Sequence, residues 1–275
     1  MTIHQPRVMA LLATHNTGER LTDTLTSLKN QTYPNLRILI SDDASTDHTA
    51  AMCRQAAETD ARLRVIQQPK RRGWVGNINS LLQQAEGDYF FFMPHDDILE
   101  PTYVEKLVAA LENHPDAVIA FSDITCFEHG QHREIQVYKE LEGEKNRVRR
   151  AIRWLDQPTS GWCVPYRGLF RANTVKQFRG LRKNLAGEFG ADWAWLLHMT
   201  LLGDFVRVPE VLYHRNRGRH SLSESWHYGK RAWLSVTLAC GREVWRSGIP
   251  IMEKFYLQRF IVGTCINIMR NRFLK

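Results

Sequence analysis

The chain has 275 residues, of which 43% are hydrophobic and 24% charged, and it carries a formal net charge of +8. That length buries a large core, in one domain or one domain with an appendage, and the composition excludes a disordered or fibrous chain. No run of about 18 uncharged apolar residues occurs, which excludes a transmembrane helix from the reading. Val8 to Ala13 reads as a buried strand, followed by the polar turn Thr14-His15-Asn16-Thr17-Gly18. Leu21, Leu25 and Leu28 recur at helical spacing between Glu19 and Gln31, and Tyr33-Pro34-Asn35 ends that helix. A second strand, Leu36 to Ser41, runs into Asp42-Asp43, and Ser45-Thr46-Asp47 offers caps for a helix from about His48 to Thr59. Leu63 to Gln67 reads as a third strand, Gly73 to Ala85 as a helix, and Tyr89 to Met93 as a fourth strand. A helix after Pro101 through Glu112 and a strand from Ala117 to Ser122 follow. This alternation specifies an α/β fold with a mostly parallel, helix-covered sheet.

Beyond Ser122 the pattern weakens. Gly130 to Gln157 is polar and reads as a long loop or irregular helix, Val164 to Phe170 as a strand, and Asp192 to Leu202 as a helix. From Trp226 the chain is helical to its end, broken at Gly248-Ile249-Pro250. The division expected is one main domain over 1–225 and a basic helical extension over 226–275.

Two features carry chemistry. The aromatic run Tyr89-Phe90-Phe91-Phe92-Met93 ends in His95-Asp96-Asp97, and the second strand ends in Asp42-Asp43. In open α/β sheets ligands bind beyond the carboxyl ends of the strands. Adjacent carboxylates repel unless a cation or proton sits with them. A divalent metal on a diphosphate is the simplest such occupant, because Mg2+ and Mn2+ take oxygen ligands.

Thr14-His15-Asn16, Leu28 to Pro34, Ser41 to Asp47, Ala85-Glu86-Gly87-Asp88-Tyr89 and His95-Asp96-Asp97 occur in an order that resembles the family-2 inverting glycosyltransferases. The resemblance is dense over residues 7 to 125 and loose over 160 to 223, and it implies a GT-A fold in which 1–225 is the catalytic domain, with a nucleotide-binding half over 1–125 and an acceptor-binding half over 126–225. It further implies that Thr14 contacts the nucleotide and that Asp43 reads the base, usually uracil, with Asp42 supporting its loop. Asp96 then contacts the ribose or sugar, and Asp97 ligates the metal, Mg2+ or Mn2+. The family's usual Arg after the third strand is missing here. Asn77, Asn79, Arg71 and Arg72 are the open substitutes.

Inversion needs a general base that takes the proton of the acceptor hydroxyl. Asp192 resembles the Asp of the family's Glu-Asp motif, with Ala191 in place of Glu, and Glu188 is the fallback. A Tyr-Arg-x-His-x-x-Ser segment of the family resembles Tyr213 to Ser223, which supplies His220, in preference to His214, as a further metal or phosphate ligand.

The cationic excess gathers in Lys145, Arg147, Arg149, Arg150 and Arg153, in Arg207 to Arg219, and in the last fifty residues. It favours anionic partners or a solvated basic surface. The tail interleaves these charges with Trp233, Trp245, Phe255, Tyr256, Phe260 and Phe273, a pattern open to contact with an anionic membrane or to plain packing on the catalytic domain. The five cysteines are dispersed with no CxxC pair, which favours free thiols over a disulfide framework or a zinc site. With no leader pattern at Met1 to Arg7, the expected location is the cytoplasm, at the inner face of the plasma membrane if the tail binds there.

The partners implied are a nucleotide-sugar donor and a glycan or lipid-linked acceptor. A nucleotidyltransferase needs a Gly-rich basic loop after its first strand, and Thr14 to Gly18 has little basic character. No basic helix-turn-helix or stacking-strand motif supports nucleic-acid binding.

Overall fold

The computed structural model describes residues 5–128, 130–156, 163–176, 180–217 and 229–273. The first half alternates β1 (Val8–Thr14), α1 (Leu21–Lys29), β2 (Leu36–Asp42), α2 (Thr49–Thr59), β3 (Leu63–Gln67), α3 (Trp74–Gln83) and β4 (Tyr89–Met93). β5 (Ile98–Leu99), α4 (Tyr103–Glu112) and β6 (Ala117–Glu128) complete it. β1, β2 and β4 are buried along nearly their whole length because helices cover both faces, so their sequences are continuous apolar runs rather than alternating ones.

The second half contains β7 (Gln131–Gln136), α5 (Arg147–Leu155), α6 (Cys163–Tyr166), β8 (Leu169–Arg171), α7 (Ala172–Lys176), α8 (Ala191–Leu202) and β9 (Asp204–Arg217). Two helices, α9 (Lys230–Arg246) and α10 (Ile251–Phe273), follow. The strands form one sheet in the order β3-β2-β1-β4-β8-β6-β9-β5, with β7 on β6. Pairing is parallel from β3 to β4 and between β6 and β9, whereas β8 runs antiparallel to both β4 and β6.

Three segments differ from expectation. Residues 130–156 hold β7 and α5 rather than an irregular loop alone. β7 is exposed along almost all of its length and pairs through its backbone with β6, so its side chains carry no strand pattern. In α5 the Arg residues mask an inward face of Ala151, Trp154 and Leu155, and Arg150 itself is buried against Asp204 at 2.7 Å. The Asn146 side chain caps this helix by accepting from the N–H groups of Val148 and Arg149. The stretch from Val164 to Phe170 is a helical turn followed by the short strand β8. Tyr213 to Arg217, for which no strand was expected, belongs to β9.

Four of the five cations in the first basic group are paired with three acids within the fold. Lys145 and Arg150 share Asp204, Arg147 pairs with Glu253, and Arg153 pairs with Glu144. That removes most of its charge from the choice of partner. Cys53, Cys240 and Cys265 are buried free thiols, as the dispersed spacing implies, and Cys126 is buried on β6.

Candidate active site

β1 lies between β2 and β4, with Thr14 opposite Asp42 and Leu12 opposite Met93. The chain winds from β1 outward to β2 and β3, then crosses to β4 on the other side of β1. This reversal opens a crevice at the carboxyl ends of β1 and β4, the place where such sheets bind ligands. Thr14, Asp43 and Asp96 therefore reach one rim.

The rim loops are laced together. The Asn16 side chain accepts from the Thr46 N–H at 2.9 Å, and the Asn16 N–H donates to Ser45 Oγ at 3.0 Å. Thr49 Oγ1 accepts from the N–H groups of Thr17 and Gly18. Asn16 and Ala44 both sit at positive φ, at 48° and 56°. Asn tolerates that conformation and Ala does so at a cost, so the cross-links hold Ala44 in place. Asp42 is fully buried and accepts from the N–H and hydroxyl of Ser45, a loop-supporting arrangement.

Asp43 accepts from the backbone N–H of Arg72 at 2.7 Å and of Gly73 at 2.9 Å. Its carboxylate thus joins the end of β2 to the start of α3, and lone pairs remain for a ligand. Asn77 is consumed elsewhere, donating to the Ser41 carbonyl and accepting from the Ser41 hydroxyl. Asn79 brackets Leu181 through its N–H and carbonyl. Of the four open substitutes for the missing Arg, only the exposed Arg71 and Arg72 are not bound into these structural roles.

The two adjacent acids have different surroundings. Asp97 is buried, with Oδ2 accepting from Arg167 Nε at 2.9 Å and the Tyr213 hydroxyl at 2.7 Å, and Oδ1 accepting from the Asn216 N–H at 3.0 Å. Three of about four acceptor positions are occupied. The role of metal ligand read for Asp97 has one acceptor position of this carboxylate left to it. Among the described residues no side-chain donor meets the Asp96 carboxylate, and its backbone carbonyl accepts from the Asn216 side chain at 2.7 Å. Burial, and then the Asp97 charge, push the Asp96 carboxyl above its ordinary range.

Across the crevice, α8 begins after Gly190, whose φ of 66° is the left-handed conformation. A Cβ on Gly190 would stand 2.6 Å from a Val236 methyl of α9, so glycine is required both for the turn and for the packing. Asp192 lies in the first turn, buried, and its carboxyl is pushed up to about 6 by desolvation. Its own helix start, Arg167 and Arg215 restrain that rise. Arg167 acts electrostatically on Asp96 and Asp192 and is bonded to Asp97, which puts the three acids around one guanidinium. Below them Tyr166 stacks on Phe92 at 5.1 Å and neighbours Trp74 at 6.3 Å. The sequence did not single out Arg167, Tyr166 and Trp74, because none of them lies in the acidic motifs at the strand ends and only the fold brings them near the rim.

The fallback base is engaged otherwise. Glu188 accepts from the N–H groups of Trp74 and Val75 and pairs with Lys183, so it caps α3. Glu188→Ala is expected to cost about 1 kcal/mol, as lost caps do, and to lower the melting temperature while transfer persists. Loss of transfer at unchanged stability would return the base role to Glu188. His214 is bonded to Glu100 at 2.6 Å rather than to either rim acid. His220 lies outside the described residues.

Among the described residues no three His, Cys, Asp or Glu side chains gather as a ready cation cage. Mg2+ in nucleotide sites is held by one or two carboxylates, with waters and substrate phosphates completing its shell. A half-buried, unpaired Asp96 beside a second acid fits that chemistry.

The profile of Glycosyl transferase family 2 matches residues 10–173. An uncharacterised glycosyltransferase of Haemophilus influenzae is 32% identical over 135 residues, 49% of this chain and 39% of that protein. The O-antigen biosynthesis protein RfbC of Myxococcus xanthus is 24% identical over 221 residues, 78% of this chain but 16% of its own length. The chain thus spans well under half of these curated relatives. The crystal structure of S. aureus TarS in complex with UDP-GlcNAc superposes with a TM-score of 0.73 at 15% identity, over 97% of this chain and 74% of that one. The mannosyltransferase PcManGT from Pyrobaculum calidifontis, in complex with GDP-Man and Mn2+, does so at 0.60 and 15%, over 98% and 76%. At such identity the likeness establishes the fold, which is of the GT-A type. Over most of its sheet and the whole acidic rim, then, the chain belongs to glycosyl transferase family 2.

Proposed function

We propose that the protein is a divalent-cation-dependent, inverting hexosyltransferase that moves a sugar from a nucleoside-diphosphate donor, of the UDP class, to a hydroxyl of a cell-surface glycan or lipid-linked acceptor. The observation that carries this reading is the gathering of Thr14, Asp43 and Asp96 on one rim of the sheet, with the buried Asp192 facing them around Arg167. Thr14 and Asp43 hold the nucleoside, and Asp43 accepts the imide N–H of the base. Asp96, rather than Asp97, is the carboxylate that receives Mg2+ or Mn2+, because Asp97 is bound by Arg167, Tyr213 and Asn216. The cation, when bound, neutralises charge on the leaving diphosphate. Asp192 takes the proton from the acceptor oxygen as that oxygen attacks the anomeric carbon from the face opposite the diphosphate, which inverts the centre. The UDP class rests on the resemblance and on the TarS complex with UDP-GlcNAc. The glycan acceptor rests on the likeness to RfbC.

A thermal-shift series with UDP-GlcNAc, other UDP-hexoses and GDP-Man, each with and without Mn2+, tests this. A UDP-sugar with Mn2+ is expected to raise the melting temperature beyond either alone, by about 3 kcal/mol of stability at a hundredfold excess over Kd. Asp96→Asn is expected to remove the Mn2+-dependent part. A metal-independent shift, or none with any nucleotide sugar, would defeat the proposal.

A further inference from the structure

The two C-terminal helices present an unusual outer surface. Twelve large apolar side chains are exposed among the described residues, and nine of them lie on α9 and α10. Leu234, Leu238 and Trp245 follow helical spacing along α9, and Met252, Phe255, Tyr256, Val262 and Ile266 do so along α10. Met252 is 74% exposed, Phe255 56% and Tyr256 59%. The opposite faces are spoken for. Val236, Cys240 and Val244 of α9, and Leu257, Ile261 and Cys265 of α10, are buried. Trp245 meets Phe255 edge-on at 5.3 Å, and the Trp245 indole N–H donates to the Gln258 side chain at 3.2 Å. The two stripes therefore join into one surface at the α9–α10 turn.

Cations share this surface and carboxylates do not. Arg231 and Arg242 fall on the α9 stripe and Arg259 on the α10 stripe, all exposed. Only two acids occur between residues 229 and 266. Glu243 is buried and bound to Arg182, and Glu253 is paired with Arg147. An exposed apolar band with aromatics, bordered by Lys and Arg, has the chemistry of a helix pair lying in the headgroup region of an anionic bilayer. No helix among the described residues is long and apolar enough to cross a membrane. A second copy on the same patch would bring these arginines against their own symmetry mates, which disfavours a self-complementary dimer. Scattered single apolar residues need no explanation, but a contiguous band does.

We infer that α9 and α10 dock the protein flat on an anionic lipid surface, through the band from Leu234 to Ile266 and the cations Arg231, Arg242 and Arg259. The inference stands apart from the donor and the chemistry proposed above.

Co-sedimentation of the whole chain with vesicles tests it. Binding is expected to vesicles of mixed phosphatidylcholine and phosphatidylglycerol, to weaken with salt, and to be absent for phosphatidylcholine alone. The triple variant Arg231→Glu, Arg242→Glu, Arg259→Glu is expected to bind at least about 100-fold more weakly, at roughly fivefold for each cation removed. Phe255→Ser with Tyr256→Ser is expected to lose about tenfold or more. These changes fall on outward positions, so melting and circular dichroism should match the parent. Met252→Ser is a smaller second probe of the same band. No sedimentation with the anionic vesicles, or equal binding by parent and variants, would overturn the inference. So would a dimer in ultracentrifugation that Phe255→Ser dissociates while vesicles stay unbound.

Discussion

Replacing Asp192 by Asn is expected to lower sugar transfer by about 10²–10⁴, the usual contribution of a general base, while donor binding persists and the melting temperature rises. The two effects have one cause. Burial pushes the Asp192 carboxyl up to about 6 from an ordinary 3.8, so the folded protein favours the protonated form. A carboxyl whose folded value is raised supports the fold fully below its unfolded value and loses that support as pH rises through the folded one. At pH 8 the ionised Asp192 is thus a destabilising group, and the neutral amide removes that penalty. The same shift sets the rate profile. Transfer needs the carboxylate, so kcat/KM is expected to rise with pH through an inflection near 6 and level off above it. Rates measured for parent and variant across pH 4.5 to 8.5 with saturating Mn2+, set beside melting curves at the same pH values, check both. A variant that keeps full turnover, or that melts lower than the parent at pH 8, would remove Asp192 from the role.

Asp97→Ala is expected to destabilise the protein by about 3–5 kcal/mol, the range for stripping one partner from a buried ion pair. The Asp97 carboxylate is 1% exposed and its Arg167 partner 11%. Its removal leaves that guanidinium, the Tyr213 hydroxyl and the Asn216 N–H facing a void. In a chain of this size such a loss lowers the melting temperature by about 10 °C. Calorimetry without metal or nucleotide isolates the effect. Asp96→Asn in the same experiment is expected to melt close to the parent. If Asp97→Ala melts like the parent yet loses Mn2+-dependent donor binding, the cation belongs on Asp97 and the assignment reverses.

The strands β1 to β4 and their helices were legible because buried parallel strands are continuous apolar runs, and each ended at Asn, Asp, Gly or Pro. The ordered motifs around Thr14, Asp43 and Asp96 brought the rim with them. The different surroundings of Asp96 and Asp97 were not legible. It depends on Arg167, Tyr213 and Asn216, which lie 70 to 119 positions downstream and whose convergence is a property of the sheet order. The same limit explains α5 and β7. An Arg-rich helix hides its inward face when one Arg is itself buried, as Arg150 is, and an exposed edge strand has no burial pattern to read. The tail was legible as two helices, yet which faces pack and which stay open required their placement on α8 and α5.

The strand β8 has a consequence for how the chain can be divided. It comes from residues 169–171, after α6, but lies wedged between β4 and β6, which both precede it. A fragment ending near residue 125 would keep β4 and β6 with nothing between them, each showing a bare hydrogen-bonding edge of Phe- and Ile-rich backbone. Such edges invite intermolecular pairing. The halves proposed to bind donor and acceptor are consequently inseparable as pieces, and any attempt to graft a new second half must carry this three-residue wedge along with it.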